Sequence, residues 1–319
     1  MYICLMELQT IVNLEKPPFR LDYQSLIMMV GSCFVENVGE KLEYFRFHTD
    51  VNPCGIVYNP VSAAQTLRLL MERRQFVAED LWHHGGLWGS FLHHGRFSDA
   101  DCGACLEKIN KRIQLSSEHL KHTDLLVITW GTSWVYEYLQ TGQVVSNCHK
   151  FPAADFRRYR LKVEEIVDIY RELIQRLKAY NPSLNILFTV SPIRHWKDGA
   201  HGNQLSKAVL HLAIDELVNT FDFVDYFPSY EIVMDELRDY RFYTSDMLHV
   251  SPQGVDYIWE KFCSVYFDAP TLEVMHKVDK LNRTLKHRPS DPGSVASIQL
   301  RLRTLEELKK LLGYDIVIE

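Results

Sequence analysis

The sequence predicts an α/β protein with a mostly parallel central sheet. A short, unbroken apolar run at 26–30 and two largely apolar stretches at 124–129 and 186–190 read as buried strands, and stretches with apolar residues at helical spacing lie between them. Alternation of this kind builds crossover units, which bind their ligands at the carboxyl ends of the strands. Residues directly after a strand are therefore the first candidates for chemistry.

Along the chain, the run ending at Gly31 leads into Phe34, Val35, Val38, Leu42 and Phe45, the apolar stripe of a helix over about 35–45. A turn-rich loop at 51–60 precedes a helix over 61–73 with Pro60 at its start. The glycines, histidines and aromatics of 83–101 show no period and read as an irregular excursion. After the strand at 124–129, Thr141-Gly142 and Gln143-Val-Val145 suggest a hairpin. A long amphipathic helix covers 161–180, closed by Asn181-Pro182, and a helix over 203–220 and a strand over 221–226 complete the alternation. Beyond 268 the composition turns rich in Leu, Lys and Arg, with helices expected over 271–285 and 295–312 on either side of HRPSDPGS. The chain thus divides into a catalytic domain, 1–268, and a helical appendage, 269–319, which is a candidate dimer contact.

At 319 residues and 46% hydrophobic composition the chain can bury a large core without staples. The net charge of −6 is spread along the chain with no basic block, which argues against nucleic acid as a partner. No apolar run approaches the ~20 residues needed to cross a bilayer, and the start of the chain lacks the basic and small-residue marks of a signal peptide. With an odd number of cysteines, seven, this points to a reducing, cytoplasmic setting. Cys102 and Cys105 form a lone C-x-x-C, and a zinc site would need a second such pair. His83, His84, His93 and His94 have no acidic or cysteine partner at ligand spacing, so no metal is expected.

Ser32 lies between a buried strand and a helix, which puts its hydroxyl at the sheet's carboxyl edge beside first-turn amides able to hold an oxyanion. A serine nucleophile needs a base, and the base an orienting group. Asp246-Met-Leu-His249 supplies both at a spacing that lets the carboxylate reach the imidazole across one turn, although a surface capping pair has the same spacing. Arg194, His195 and Trp196 follow another strand to the same edge, where Arg194 and Lys197 can hold an anionic group or sugar hydroxyls. His149 is a further candidate substrate contact at that rim. Trp82, Trp88, Phe91, Phe97, Trp130, Trp134 and Trp196 form either a stacking wall or core.

Gly31-Ser32-Cys33-Phe34, Asn52-Pro-Cys-Gly55-Ile-Val-Tyr-Asn-Pro60, Asn147-Cys-His-Lys150, Ser191-Pro-Ile-Arg-His-Trp-Lys-Asp-Gly199 and Asp246-Met-Leu-His249 together resemble the GSCFA family, a branch of the SGNH/GDSL hydrolase-like group. The resemblance runs from about 20 to 265, with Val35 standing where the signature's final alanine would be. It implies a three-layer, flavodoxin-like fold with Ser32 as nucleophile and Asp246 and His249 as its partners. It further matches Gly55 to an oxyanion-hole amide, joining that of Cys33, although a turn glycine is equally consistent. Where the wider group carries Gly-x-Asn this chain reads Gly131-Thr132-Ser133, so the third donor falls to Ser133 or to Asn147.

The activity implied is hydrolysis or transfer of an O-acyl group on a carbohydrate or small metabolite, through an acyl-enzyme and without a cofactor. Two alternatives remain open on sequence: a glycan-binding module with a weakened oxyanion hole, and a reactive Cys33 in place of Ser32.

Overall fold

The computed structural model of the chain describes residues 9–286 and 294–314. The apolar start at 1–8 and HRPSDPGS up to Gly293 lie outside the described residues. Five parallel strands form the central sheet: β1 (Leu26–Gly31), β2 (His48–Val51), β5 (Leu125–Trp130), β9 (Asn185–Val190) and β10 (Val224–Tyr226), in the order β10-β9-β5-β1-β2. The order reverses between β1 and β5, and this switch point is where a doubly wound sheet opens its ligand crevice.

Side chains of the central strands alternate between two cores, because successive Cβ atoms point to opposite faces. Met28, Val30, Leu126, Ile128, Trp130, Ile186 and Phe188 enter one core, covered by α2 (Pro60–Met71), α3 (Cys102–Lys121), α4 (Val163–Tyr180) and α5 (Gly199–Thr220). Ile27, Met29, Leu125, Val127 and Leu187 enter the other, under α1 (Cys33–Tyr44) and α7 (Pro252–Tyr266). Strands buried on both faces explain why these segments are so largely apolar. The three layers match the fold class expected of the sequence.

Two excursions depart from the layers. Residues 83–101, irregular by sequence, contain a small hairpin of β3 (Trp82–His84) and β4 (Leu87–Gly89), whose three-residue strands are too short to show a period. The expected hairpin near 143 is larger than its turn signal implied: β6 (Trp134–Tyr138) pairs antiparallel with both β7 (Gln143–Val145) and β8 (Phe156–Arg160). This second sheet stands at the carboxyl edge of β5 and becomes a wall of the crevice.

A single turn, α6 (Ser229–Glu231), follows β10. After α7, helices α8 (Ala269–Lys286) and α9 (Val295–Leu312) pack together, and Met275, Val278, Leu308 and Leu312 join the core beneath α1 and α7. Tyr44 donates to Asp279 at 2.7 Å, tying α1 to α8. Among the described residues no helix is long and apolar enough to cross a membrane.

The join between β1 and α1 depends on Gly31, where a Cβ would stand 2.3 Å from the Thr129 carbonyl oxygen of β5. Gly31→Ala is expected to lower stability by about 1–3 kcal/mol, because the strands must part to admit the methyl. Urea unfolding of the purified variant checks this, and an unchanged midpoint would contradict the close approach.

Candidate active site

Ser32 sits at the N-cap of α1, a position where serine ordinarily turns its hydroxyl onto the helix's own free amides. Here it does not. The residue is 2% exposed, and its Oγ is buried without any hydrogen-bond partner. A buried polar group left unpaired costs about 1–3 kcal/mol, so its persistence calls for a reason. The Cys33 N–H beside it is a first-turn amide with no acceptor inside the helix.

The candidate base stands on the loop before α7. Asp246 Oδ2 lies 2.5 Å from His249 Nδ1, and its Oδ1 accepts from the Thr244 hydroxyl at 2.7 Å and from the amides of Leu248 and His249 at 2.9 and 3.0 Å. Those bonds, first that from the His249 amide, hold the Asp246 carboxyl well below the usual carboxylate range. An ionised carboxylate can only accept, so Nδ1 of His249 carries the proton and Nε2 is left as the acceptor. Both side chains are about half exposed.

Ser32 and His249 line one cavity of about 500 Å³ without bonding to each other. Its floor is the switch point. A Cβ built on Gly131 would lie 3.1 Å from His195 Nε2 and 3.6 Å from Ser32 Cβ, so the His195 imidazole and Ser32 crowd the same spot. One wall is the second sheet, where the Arg158 guanidinium, ion-paired with Asp198, lies 4.2 Å from the Trp134 ring centroid. Asn147, Arg194 and the largely exposed Trp196 complete the rim.

Several expected roles do not survive the geometry. The Gly55 amide donates to the Asn52 carbonyl at 2.8 Å in a tight turn, so it is not free for an oxyanion. Ser133 is fully buried and turned away, its amide donating to Ser206 Oγ at 2.8 Å and its hydroxyl to the Ser206 carbonyl at 3.2 Å; Thr132 lines the cavity instead. His149 points Nε2 at the carbonyls of Ser90 and His93, at 2.9 and 3.0 Å, and thereby pins the 90–93 loop rather than meeting a ligand.

Asn147 lines the cavity, and its Oδ1 accepts from the His149 amide at 2.8 Å. Cys33 lines the cavity with Sγ 3.6 Å from the Tyr58 hydroxyl.

The histidine-rich stretch disperses. His83 packs at a tilt against Trp88 and His84 against Phe151, His93 is buried between Phe76 and Phe97, and His94 Nδ1 accepts from the Arg96 amide. Among the described residues no group of three His, Cys, Asp or Glu could hold a metal. The aromatics divide as well: Trp130 packs in the core with Tyr170 and Phe188, whereas Trp134 and Trp196 face the cavity.

A family model described as the GSCFA family matches residues 26–262. The chain belongs to the GSCFA family. No curated protein matches it.

Among solved structures, this GSCFA chain is similar to a family 3 carbohydrate esterase of Clostridium thermocellum, at 14% identity and TM-score 0.34 over 80% of this chain and 98% of that one. It is similar also to the acetyl xylan esterase Est2A of Butyrivibrio proteoclasticus, at 11% and 0.39 over 82% and 65%. A third is a family two carbohydrate esterase of Clostridium thermocellum in complex with cellohexaose, at 13% and 0.38 over 84% and 67%. Overlaps this loose do not decide what the GSCFA chain acts on.

Beneath the cavity lies Lys207, a residue that sequence inspection passes over because its helix reads as an ordinary amphipathic one. It is 2% exposed, and its ammonium donates to the carbonyls of Gly131 and Ser191, each at 2.6 Å. The ends of β5 and β9 are thereby clamped to α5. Burial, and secondarily the charge of Arg194, push its pKa down to about 7. His195, above it, is lowered to about 4 by burial first and by Lys207 second, so it is neutral at pH 7.

These shifts set a pH dependence. Between about pH 7 and 10 the unfolded chain keeps the Lys207 proton that the native state releases, so stability rises with pH across that window. Relative to Lys207→Met, the wild type is expected to gain up to about 1.4 kcal/mol per pH unit there. Paired urea titrations at pH 7 and 9.5 test this; parallel curves would rule out a buried, depressed lysine.

Proposed function

We propose that this GSCFA protein is a serine esterase or acyltransferase that cleaves an O-acyl ester of a carbohydrate or small metabolite through an acyl-enzyme at Ser32. The observation that carries the reading is the buried, uncapped and unpartnered Ser32 hydroxyl, in one cavity with an imidazole whose far nitrogen is bound to a carboxylate. A nucleophile must be free of other partners, and a base must have its tautomer held; both conditions are met.

His249 Nε2 takes the Ser32 proton as Oγ attacks the ester carbonyl, and the imidazolium is stabilised by Asp246. The tetrahedral oxyanion is held by the Cys33 amide, the Asn147 side-chain amide and Nε2–H of His195, the last taking the place the sequence suggested for Ser133. Collapse returns the proton from His249 to the leaving alcohol and leaves Ser32 acylated. Water or a second alcohol, deprotonated by His249, then releases the acyl group. Ser32 and His249 close to hydrogen-bond distance as the substrate enters, a tightening common to such pairs.

The loss of Gly55 and Ser133 as donors favours one second reading, a module that binds a glycan without turning it over. A fluorophosphonate probe separates the two, since covalent labelling at Ser32 requires the activated hydroxyl. Labelling is expected in the wild type, with none in Ser32→Ala and a loss of at least about 10³-fold in rate in His249→Ala. On nitrophenyl acetate, Asn147→Ala and His195→Ala are each expected to lower kcat by about 10²-fold or more with little change in KM, as removal of an oxyanion donor does. A folded wild type that never labels would leave the binding module.

A further inference from the structure

We propose that the ester acted on carries an anionic group, a carboxylate or a phosphate on a sugar, and that Arg194 receives it; this rests on the esterase reading above. Arg194 lies on the ridge between the Ser32 cavity and a second cleft of about 670 Å³, and it lines both. Its Nε is buried with no acceptor, and among the described residues no carboxylate lies within ion-pair distance of its guanidinium.

The neighbouring charges are otherwise spoken for. Arg158 pairs with Asp198, Arg238 with Asp235 at 3.3 Å and Arg241 with Asp239 at 2.9 Å. Asp246 is turned onto its own loop and His249. Lys197 donates to the Tyr136 hydroxyl at 2.7 Å and has no carboxylate partner among the described residues either. Two cations with no counter-ion among the described residues thus border a cavity in a chain whose net charge is −6, so the local field is not a by-product of a basic surface.

A guanidinium with unsatisfied donors gains most from an acceptor of opposite charge, and its planar fork suits the paired oxygens of a carboxylate or phosphate. The same ridge offers apolar faces for a ring. Trp196 is 57% exposed and Tyr240, in the second cleft, 77%. A sugar seated against Trp196, its acyl group toward Ser32 and its acid toward Arg194, satisfies all three features.

The test uses Ser32→Ala, in which no turnover intervenes, titrated by NMR with glucose, glucuronate and glucose 6-phosphate. At least one anion is expected to bind about tenfold or more tightly than glucose. Which anion does so tells carboxylate from phosphate. Adding Arg194→Gln should erase the preference and Arg194→Lys keep part of it, with circular dichroism confirming that both variants fold. Anions that bind no better than glucose, or a preference that survives Arg194→Gln, would overturn the proposal. An Arg194-dependent preference in a protein whose Ser32 never labels would uphold anion recognition while removing the esterase reading.

Discussion

The parallel pairing of β1 with β5 is the constraint on which the rest depends. Gly31 lies opposite Thr129 at a distance that excludes any side chain, and this draws the end of β1 down against the end of β5. The approach is then locked from three directions. Asn52 Oδ1 accepts from the Gly31 amide at 2.9 Å, the Val57 amide donates to the Gly31 carbonyl at 3.0 Å, and the Tyr58 carbonyl accepts from Gly131 and Thr132. Ser32 is therefore carried by two strands and the loop that follows β2, and its position is set before any side chain in the cavity is considered.

Above this rigid floor the site is differently made. The 244–249 loop is closed on itself, with the Thr244 amide donating to the His249 carbonyl at 2.8 Å and Asp246 gathering the hydroxyl and amides around it. The Asp–His pair is thus preorganised by local bonds alone, while the loop as a whole stands half exposed at the rim. Preorganised elements on a fixed base, with an open gap between them, fit the proposed esterase, which must admit a substrate before its site assembles.

Electrostatics follow from depth. Lys207, deepest, loses much of its hold on a proton but serves as a clamp across two strand ends; His195, one layer up, is neutral; Arg194, at the ridge, lacks a counter-ion among the described residues. The gradient runs from a buried clamp to the cavity rim in three residues of α5 and the loop before it. None of the three could be ranked this way from the motif in which Arg194 and His195 occur.

What the sequence by itself determined is the local part. The apolar run at 26–30 and the largely apolar stretches at 124–129 and 186–190 disclosed buried strands, because burial is imprinted residue by residue, and the Asp246-Met-Leu-His249 spacing disclosed a pair that folds within one turn. Only the tertiary structure decided which donors remain free. Gly55, Ser133 and His149 carry suitable groups, yet each spends them on a carbonyl or hydroxyl elsewhere: Asn52, Ser206, and Ser90 with His93. His195 enters beside Ser32 because β9 pairs with β5, a contact between segments some sixty residues apart. A hydrogen bond is a matter of direction as well as composition, and direction at a site built from separate strands is settled only when those strands pair.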